Sequence, residues 1–179
     1  MSKIAVVYKT KYGSTEKYAN WIAQSVEADL FKAKETKIDA LLSYDTVVYC
    51  GGLYAGGILG FSLIRKNFDK LSGKRVIVVA VGATLQKEEA VKAVKGRNLP
   101  PAMLDKVPFF LLRGGLNYKR MHLSDRFLMY LQLLLSKSKK PEERDDDSKG
   151  VIGTYGKVVD FTKKKSIEPV VRAIRGEAE

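Results

Sequence analysis

The sequence is poor in the residues that staple or metal-load a small protein. Its 179 residues include one cysteine, Cys50, and one histidine, His122. A lone cysteine excludes an intramolecular disulfide framework and a cysteine-rich zinc site, and makes a reducing cytoplasmic home the default. No uninterrupted apolar run approaches the ~20 residues of a membrane-spanning helix. Met1-Ser2-Lys3 leads straight into strand-like sequence, so no separate signal peptide is expected. Acidic charge is also scarce: 20 Asp and Glu stand against 32 Lys and Arg, a formal net charge of +12. That balance biases partners toward anions, whether nucleic acid, an acidic membrane face or a polyanionic small molecule, without choosing among them. It weighs against an acidic electron shuttle that docks on basic reductases.

What is present is a core. Hydrophobic residues make up 45% of the chain, and the length suits a single domain over residues 1–179. Ile4–Tyr8 reads as a buried strand, a short β-branched run. Ser14–Val26 reads as a helix capped by Ser14 or Gly13, with Tyr18, Ile22 and Val26 on one face. Asp29–Ala33 is a short second strand. Thr36–Leu42 is a short helix that Thr36 can cap. Asp45–Cys50 is the third strand and Phe61–Leu71 is helical. Arg75–Val81 is the strongest strand, apolar after its first residue. A helix follows from about Leu85 to Lys95, Pro100-Pro101 breaks the chain, and Pro108–Leu112 is the fifth strand. A last helix is expected over Tyr155–Lys165, with an extra short one over Ile167–Arg175 whose first turn holds Pro169.

Strictly alternating strands and helices imply right-handed crossovers and a parallel sheet covered on both faces. Ligands of such sheets bind beyond the carboxyl ends of the strands. The loop after the first strand, Thr10-Lys11-Tyr12-Gly13-Ser14-Thr15, opens a helix. Free N–H groups and the positive dipole end make an anion site there, and Thr10, Ser14 and Thr15 add hydroxyls. Such a nest suits a terminal phosphate monoester. The dinucleotide fingerprint G-x-G-x-x-G and the NTPase pattern G-x-x-x-x-G-K-[ST] are both absent. A second loop, Gly51-Gly52-Leu53-Tyr54-Ala55-Gly56-Gly57, lets backbone approach a flat ligand and offers Tyr54 for stacking. A third, Gly82-Ala83-Thr84, is small enough to line a planar ring. Together they point to one ligand with a phosphate tail and a flat head.

TKYGST, GGLYAGG and GAT in these places resemble the phosphate and ring loops of the flavodoxin family, over nearly the whole chain. The resemblance implies FMN bound to a three-layer α/β sandwich with a five-stranded parallel sheet ordered 2-1-3-4-5. It implies cofactor contacts from Thr10, Lys11, Tyr12, Gly13, Ser14, Thr15, Gly52, Leu53, Tyr54, Ala55, Gly56, Gly82, Ala83 and Thr84. No nucleic-acid partner and no metal are expected on this reading.

One segment breaks the alternation. Residues 116–154 form a long insert after the fifth strand, with its own helix at Leu123–Ser138 and a tail, Lys139–Lys149, expected to be mobile. Between Arg113 and Lys140 the cations are Arg113, Lys119, Arg120, Arg126, Lys137, Lys139 and Lys140, and the single acid is Asp125. Phe127, Leu128, Leu131, Leu134 and Leu135 form an apolar stripe that must be buried in the core, meet a second copy or another partner, or lie on an anionic membrane surface. The stretch RGGLNYKRMHLSDRFLMYLQLLL is similar to the insert of the menaquinone-dependent protoporphyrinogen dehydrogenases, at Gly115, Leu116, Tyr118, Asp125, Arg126, Phe127 and Met129. Tyr54 and Ala55 depart from that family, which tends to have Arg then Tyr.

The resemblance implies an FMN-dependent oxidoreductase acting on an anionic porphyrinogen, with a quinone as acceptor. A flavodoxin-type electron carrier serving a redox partner protein is the alternative, and a non-catalytic FMN-binding interaction module a third. No catalytic residue is singled out. His122 reads as a loop histidine, Cys50 and Trp21 as core residues. This absence fits flavin chemistry, where the cofactor carries the electrons.

Overall fold

The computed structural model describes residues 2–177. In chain order its elements are β1 (Ile4–Lys9), α1 (Ser14–Ser25), β2 (Asp29–Lys32), α2 (Ile38–Leu41), β3 (Thr46–Tyr54), β4 (Gly57–Ile58), α3 (Ser62–Arg65), β5 (Arg75–Gly82), α4 (Glu88–Asn98), α5 (Pro101–Leu104), β6 (Phe109–Arg113), β7 (Leu116–Asn117), α6 (Leu123–Ser138), α7 (Asp146–Thr154), β8 (Val158–Val159) and α8 (Glu168–Arg175). The main sheet runs β2-β1-β3-β5-β6, with β4 paired to β3 off that path. All the pairs along the path are parallel, and β4 is antiparallel. Setting β4 aside, this is the expected order 2-1-3-4-5.

Strand alternation splits the core in two. Ala5, Val7, Val47, Tyr49 and Val78 join Leu41, Ile64 and Met103 on one face. Val6, Val48, Cys50, Ile77 and Val79 join Tyr18 and Ile22 of α1 and Val170 and Ile174 of α8 on the other. Residues 47–50 and 77–80 are wholly shielded from solvent. Each such aliphatic side chain contributes roughly 1.5–3 kcal/mol relative to exposure, which holds the three layers together.

Several local expectations are corrected. Tyr155–Lys165 is not an α-helix: Gly156 turns the chain at φ 75°, Val158–Val159 pairs antiparallel with Leu116–Asn117, and a 3-10 turn begins only at Lys164. β-Branched residues favour that pairing over a helix. The closing helix is α8, the segment expected as an extra, and Pro169 sits in its first turn. The tail expected to be mobile folds instead. Asp145 accepts a 2.8 Å hydrogen bond from Ser148 N and caps α7. Phe61–Leu71 breaks into α3 and a 3-10 turn, Phe68–Leu71. At the break Asn67 Nδ2 donates to Leu63 O, a side-chain bond that competes with the helix. Thr36 does not cap α2, because its hydroxyl donates back to Lys32 O. Glu88 and Glu89 at the positive dipole end, with Lys95 and Arg97 in the last turn, shift the fourth helix about three residues later than expected.

The GGLYAGG segment is also less loop-like than expected. β3 continues through Gly52, Leu53 and Tyr54, and the chain reverses at Ala55 (φ 48°) and Gly56 (φ 80°) into β4. Two successive positive-φ residues match the hand of a tight hairpin turn. Tyr54 therefore stands on a paired strand end.

Candidate cofactor site

β1 delivers the first loop to the carboxyl edge of the sheet. Gly13 takes φ 98°, where a side chain would be strained, and an added Cβ would meet nothing within 4 Å. Its amide donates to Thr10 Oγ1 at 2.9 Å. Ser14 Oγ accepts from Gly115 N at 2.9 Å. Both hydroxyls thus serve as acceptors, and each keeps its own O–H to donate. α1 starts with no side-chain cap, so the amides of its first turn point outward without a protein acceptor. Thr15 is buried against Gly52, its Oγ1 3.1 Å from where a Cβ would stand. Donors from three hydroxyl residues and a bare helix start fit the oxygens of a phosphate monoester. Glu16 brings an acid into the same turn, but its carboxylate accepts a 2.6 Å hydrogen bond from Tyr8, on the inner side of the helix.

The other loops close on this nest. Leu53 packs so tightly on Gly82 that a Cβ there would lie 2.7 Å from Leu53 Cδ1. Gly82 O accepts from Gly114 N at 2.6 Å, and Gly115 reaches Ser14. Arg113 Nε donates weakly to Ala83 O at 3.4 Å, with Thr84 next along the chain. Ala55 and Gly56 belong to the hairpin tip. Gly56 O and Ile58 N are held by Asn98 of α4 at 3.0 and 2.8 Å. Gly13 is thus tied to Thr10, Ser14 to Gly115, Thr15 to Gly52 and Leu53 to Gly82, while Gly56 is anchored to α4.

The insert adds a residue that the loop analysis did not include. Asp125 of α6 lies 4% exposed beneath its helix. Its carboxylate accepts from Lys11 Nζ at 2.8 Å and Tyr54 OH at 2.8 Å, and from Tyr12 OH. Lys11 Nζ also sits 3.9 Å over the Tyr54 ring. Burial alone would raise the Asp125 carboxyl, but the bonds from Lys11, Tyr12 and Tyr54 overcome it and hold it down at about 2. The bond to Asp125 raises Lys11 in turn. Burial first, and then that bond, raise Tyr12. One carboxylate thus ties the phosphate loop and the ring hairpin to the insert. The usable signal was Asp125's place as the one acid among seven cations.

Other residues of interest fall elsewhere. His122 precedes α6, and its backbone N donates to Tyr12 OH at 3.3 Å. Cys50 is wholly buried, which pushes its thiol up to about 12. Trp21 packs edge-on to Tyr18 at 5.5 Å, on the α1 side of the sheet. The apolar stripe of α6 does not join the core: Phe127 is 60% and Leu135 63% exposed. No helix among the described residues is long and apolar enough to cross a membrane.

A doubly wound sheet with a hydroxyl-lined helix start after β1 and glycine-bearing segments at the ends of β3 and β5 is the arrangement of a mononucleotide-binding α/β protein. Residues 5–145 match the family described as a flavodoxin domain, and the chain belongs to that family. FMN is the cofactor of flavodoxin domains, and the nest described above fits its phosphate. Among curated proteins none matches the chain by sequence. Among solved structures, the Trp repressor binding protein of Bacillus subtilis is similar, at 18% identity over 64% of this chain and 85% of that one, TM-score 0.49. A WrbA-like flavodoxin of Agrobacterium tumefaciens gives 19% over 70% and 88%, TM-score 0.44. Two-electron reduced Megasphaera elsdenii flavodoxin gives 18% over 61% and 85%, TM-score 0.44. These are loose likenesses of shape, and the fold assignment rests on the strand order and the family match.

Proposed function

We propose that this chain is an FMN-dependent oxidoreductase similar to the quinone-dependent protoporphyrinogen dehydrogenases. The observation that carries the reading is the Asp125 clasp, which seats a cationic, apolar insert directly on the loops assigned to the flavin. A pure electron carrier has no need of such a cover. When bound, FMN would supply the redox chemistry that couples oxidation of the substrate to reduction of the quinone. Thr10, Ser14, Thr15 and the first-turn amides of α1 would hold its phosphate. Gly52, Leu53, Tyr54 and Gly82–Thr84 would line its ring, and Lys11 and Tyr12 fix the Tyr54 side through Asp125. Lys119, Arg120 and Arg126 give the insert cations that favour a substrate bearing carboxylates.

Quinone-dependent oxidation of protoporphyrinogen, followed by porphyrin fluorescence, tests this directly. Flavin-dependent turnover is expected, and no turnover with several quinones would sink the enzyme reading. The family match itself favours a second reading, an electron-transfer flavoprotein without substrate chemistry of its own. That protein would pass electrons to an acidic partner in the same assay vessel without oxidising porphyrinogen.

A further inference from the structure

We propose that α6 docks the protein on an anionic lipid bilayer, its axis lying in the membrane surface. The inference rests in part on the function proposed above, because a quinone acceptor is dissolved in lipid. The helix has two distinct sides. Asp125, Leu133 and Ser136 face inward and are buried, and α7 packs against α6. Leu123, Phe127, Leu128, Leu131, Leu134 and Leu135 face outward, all at least 40% exposed, with Leu123 at 81%. Such a contiguous apolar face on one helix is far from the scattered exposed leucines of ordinary surfaces.

Charge selects the occupant. Lys119 and Arg120 lead into the helix, Arg126 and Lys137 border the apolar face, and Lys140 follows it. Among the described residues none of these five is in an ion pair, and Asp125, the acid of the helix, is spent on Lys11. Arg126 is held at the helix start by bonds to the carbonyls of Tyr118 and Lys119 at 3.0 and 3.2 Å. Glu142 and Glu143 come after the helix, so the cationic amino end leads onto the surface. An apolar face with cationic borders is the make-up of a helix that lies in a bilayer interface. A second copy fits worse: antiparallel pairing of two such faces sets Arg126 of one copy near Lys137 of the other, on molecules of net charge +12. Spanning is not an option, since sixteen residues give only about 24 Å of helix.

The clasp gives the docking a purpose. Asp125 lies on the inner side of the helix whose outer side would enter the lipid. A docked α6 therefore sets Lys11, Tyr12 and Tyr54, and the ring site beside them, just beneath the membrane surface where a lipid-dissolved quinone approaches.

Flotation of the full-length, FMN-loaded protein with vesicles tests this. The vesicles are equal parts phosphatidylcholine and phosphatidylglycerol, with phosphatidylcholine alone as control. Binding is expected to be roughly tenfold or more tighter to the anionic vesicles and to weaken steeply with salt. Leu131→Glu with Leu135→Glu should lose it while keeping the flavin absorbance and far-UV dichroism. Leu131→Ser with Leu135→Ser is a milder pair should the first disturb folding. No vesicle binding, or equal binding by these variants, overturns the proposal. So does a dimer in sedimentation velocity that the variants dissolve, because the face then belongs to a second copy. Turnover with a water-soluble quinone, measured in parallel, separates the two ideas. Its absence with vesicle binding intact removes the assigned reaction and leaves the docking.

Discussion

The carboxylate of Asp125 and the phenol of Tyr54 meet at 2.8 Å across 71 positions of sequence. The contact joins a residue on the insert to the end of a core strand, and Lys11 completes it from the phosphate loop. Asp125→Asn keeps the shape and removes the charge. A buried acceptor that loses its charge-assisted donors costs about 1–3 kcal/mol. Because Asp125 touches the sheet only at the end of β3, through Tyr54, the cost should fall mainly on the insert. We expect faster amide exchange over 116–138 and weaker FMN binding in this variant, with the sheet amides unchanged. Uniform exchange across insert and sheet would show that the clasp holds nothing locally.

The same group sets a pH window. Asp125 falls from an ordinary 3.8 to about 2 in the fold, so its contribution is fully present above the ordinary value and is lost as pH falls through about 2. Lys11 is raised above 10.5, so its contribution is complete below that value and disappears as pH climbs past its folded one. The clasp should therefore hold from mildly acidic to strongly alkaline pH. Carbon-13 NMR of the Asp125 carboxyl should give a midpoint about 2, and a midpoint near 3.8 would mean the bonds are not made in solution.

The strand order was legible because parallel strands buried on both faces read as continuous apolar runs, as Val47–Cys50 and Arg75–Val81 do. The hydroxyl-lined start of α1 was legible because Thr10 to Thr15 are local in sequence. The carboxyl end of the chain was not. Val158–Val159 takes its structure from a partner strand some forty positions earlier, and no local periodicity reports that. The clasp was half visible: the lone acid stood out, but its partners, Lys11, Tyr12 and Tyr54, come from two distant loops. The end of β3 was misread because glycines suggest a loop, whereas here Gly51 and Gly52 are paired strand residues against β5.

The hydroxyls of the nest can be removed without emptying the core. Ser14→Ala with Thr15→Ala deletes two donors and leaves the backbone amides. FMN affinity, read by quenching of flavin fluorescence, should drop roughly tenfold or more, about 1.4 kcal/mol. Thermal stability of the flavin-free protein should fall by much less than the loss of a buried strand residue would cause. Unchanged affinity would reduce TKYGST to a helix start.

Cys50 offers a control on the core. Its side chain is fully enclosed and its thiol is pushed up to about 12 by that burial, so thiolate is negligible at neutral pH. Under native conditions an aromatic disulfide reagent should leave it unmodified, and it should react at once in denaturant. Fast native labelling would mean that β3 opens far more readily than its central place in the sheet implies.

Two glycines of the site should fail for opposite reasons. At Gly13 there is room for a methyl group but φ is 98°, so Gly13→Ala meets only backbone strain, of the order of 1–2 kcal/mol. That strain is relieved if the loop relaxes, which would spoil the nest. The variant should lose FMN affinity while the flavin-free protein keeps most of its stability. At Gly82 the backbone is ordinary and the space is not, since a Cβ would come within 2.7 Å of Leu53 Cδ1. Gly82→Ala should push Leu53 off the strand end and disturb the ring side of the site. Trimming the neighbour in Leu53→Ala with Gly82→Ala should restore part of the loss, which no second change of size can do for Gly13. Flavin titrations of the two single variants and the double one decide it: a Gly82→Ala defect that the Leu53 change does not relieve would mean the crowding is not its cause.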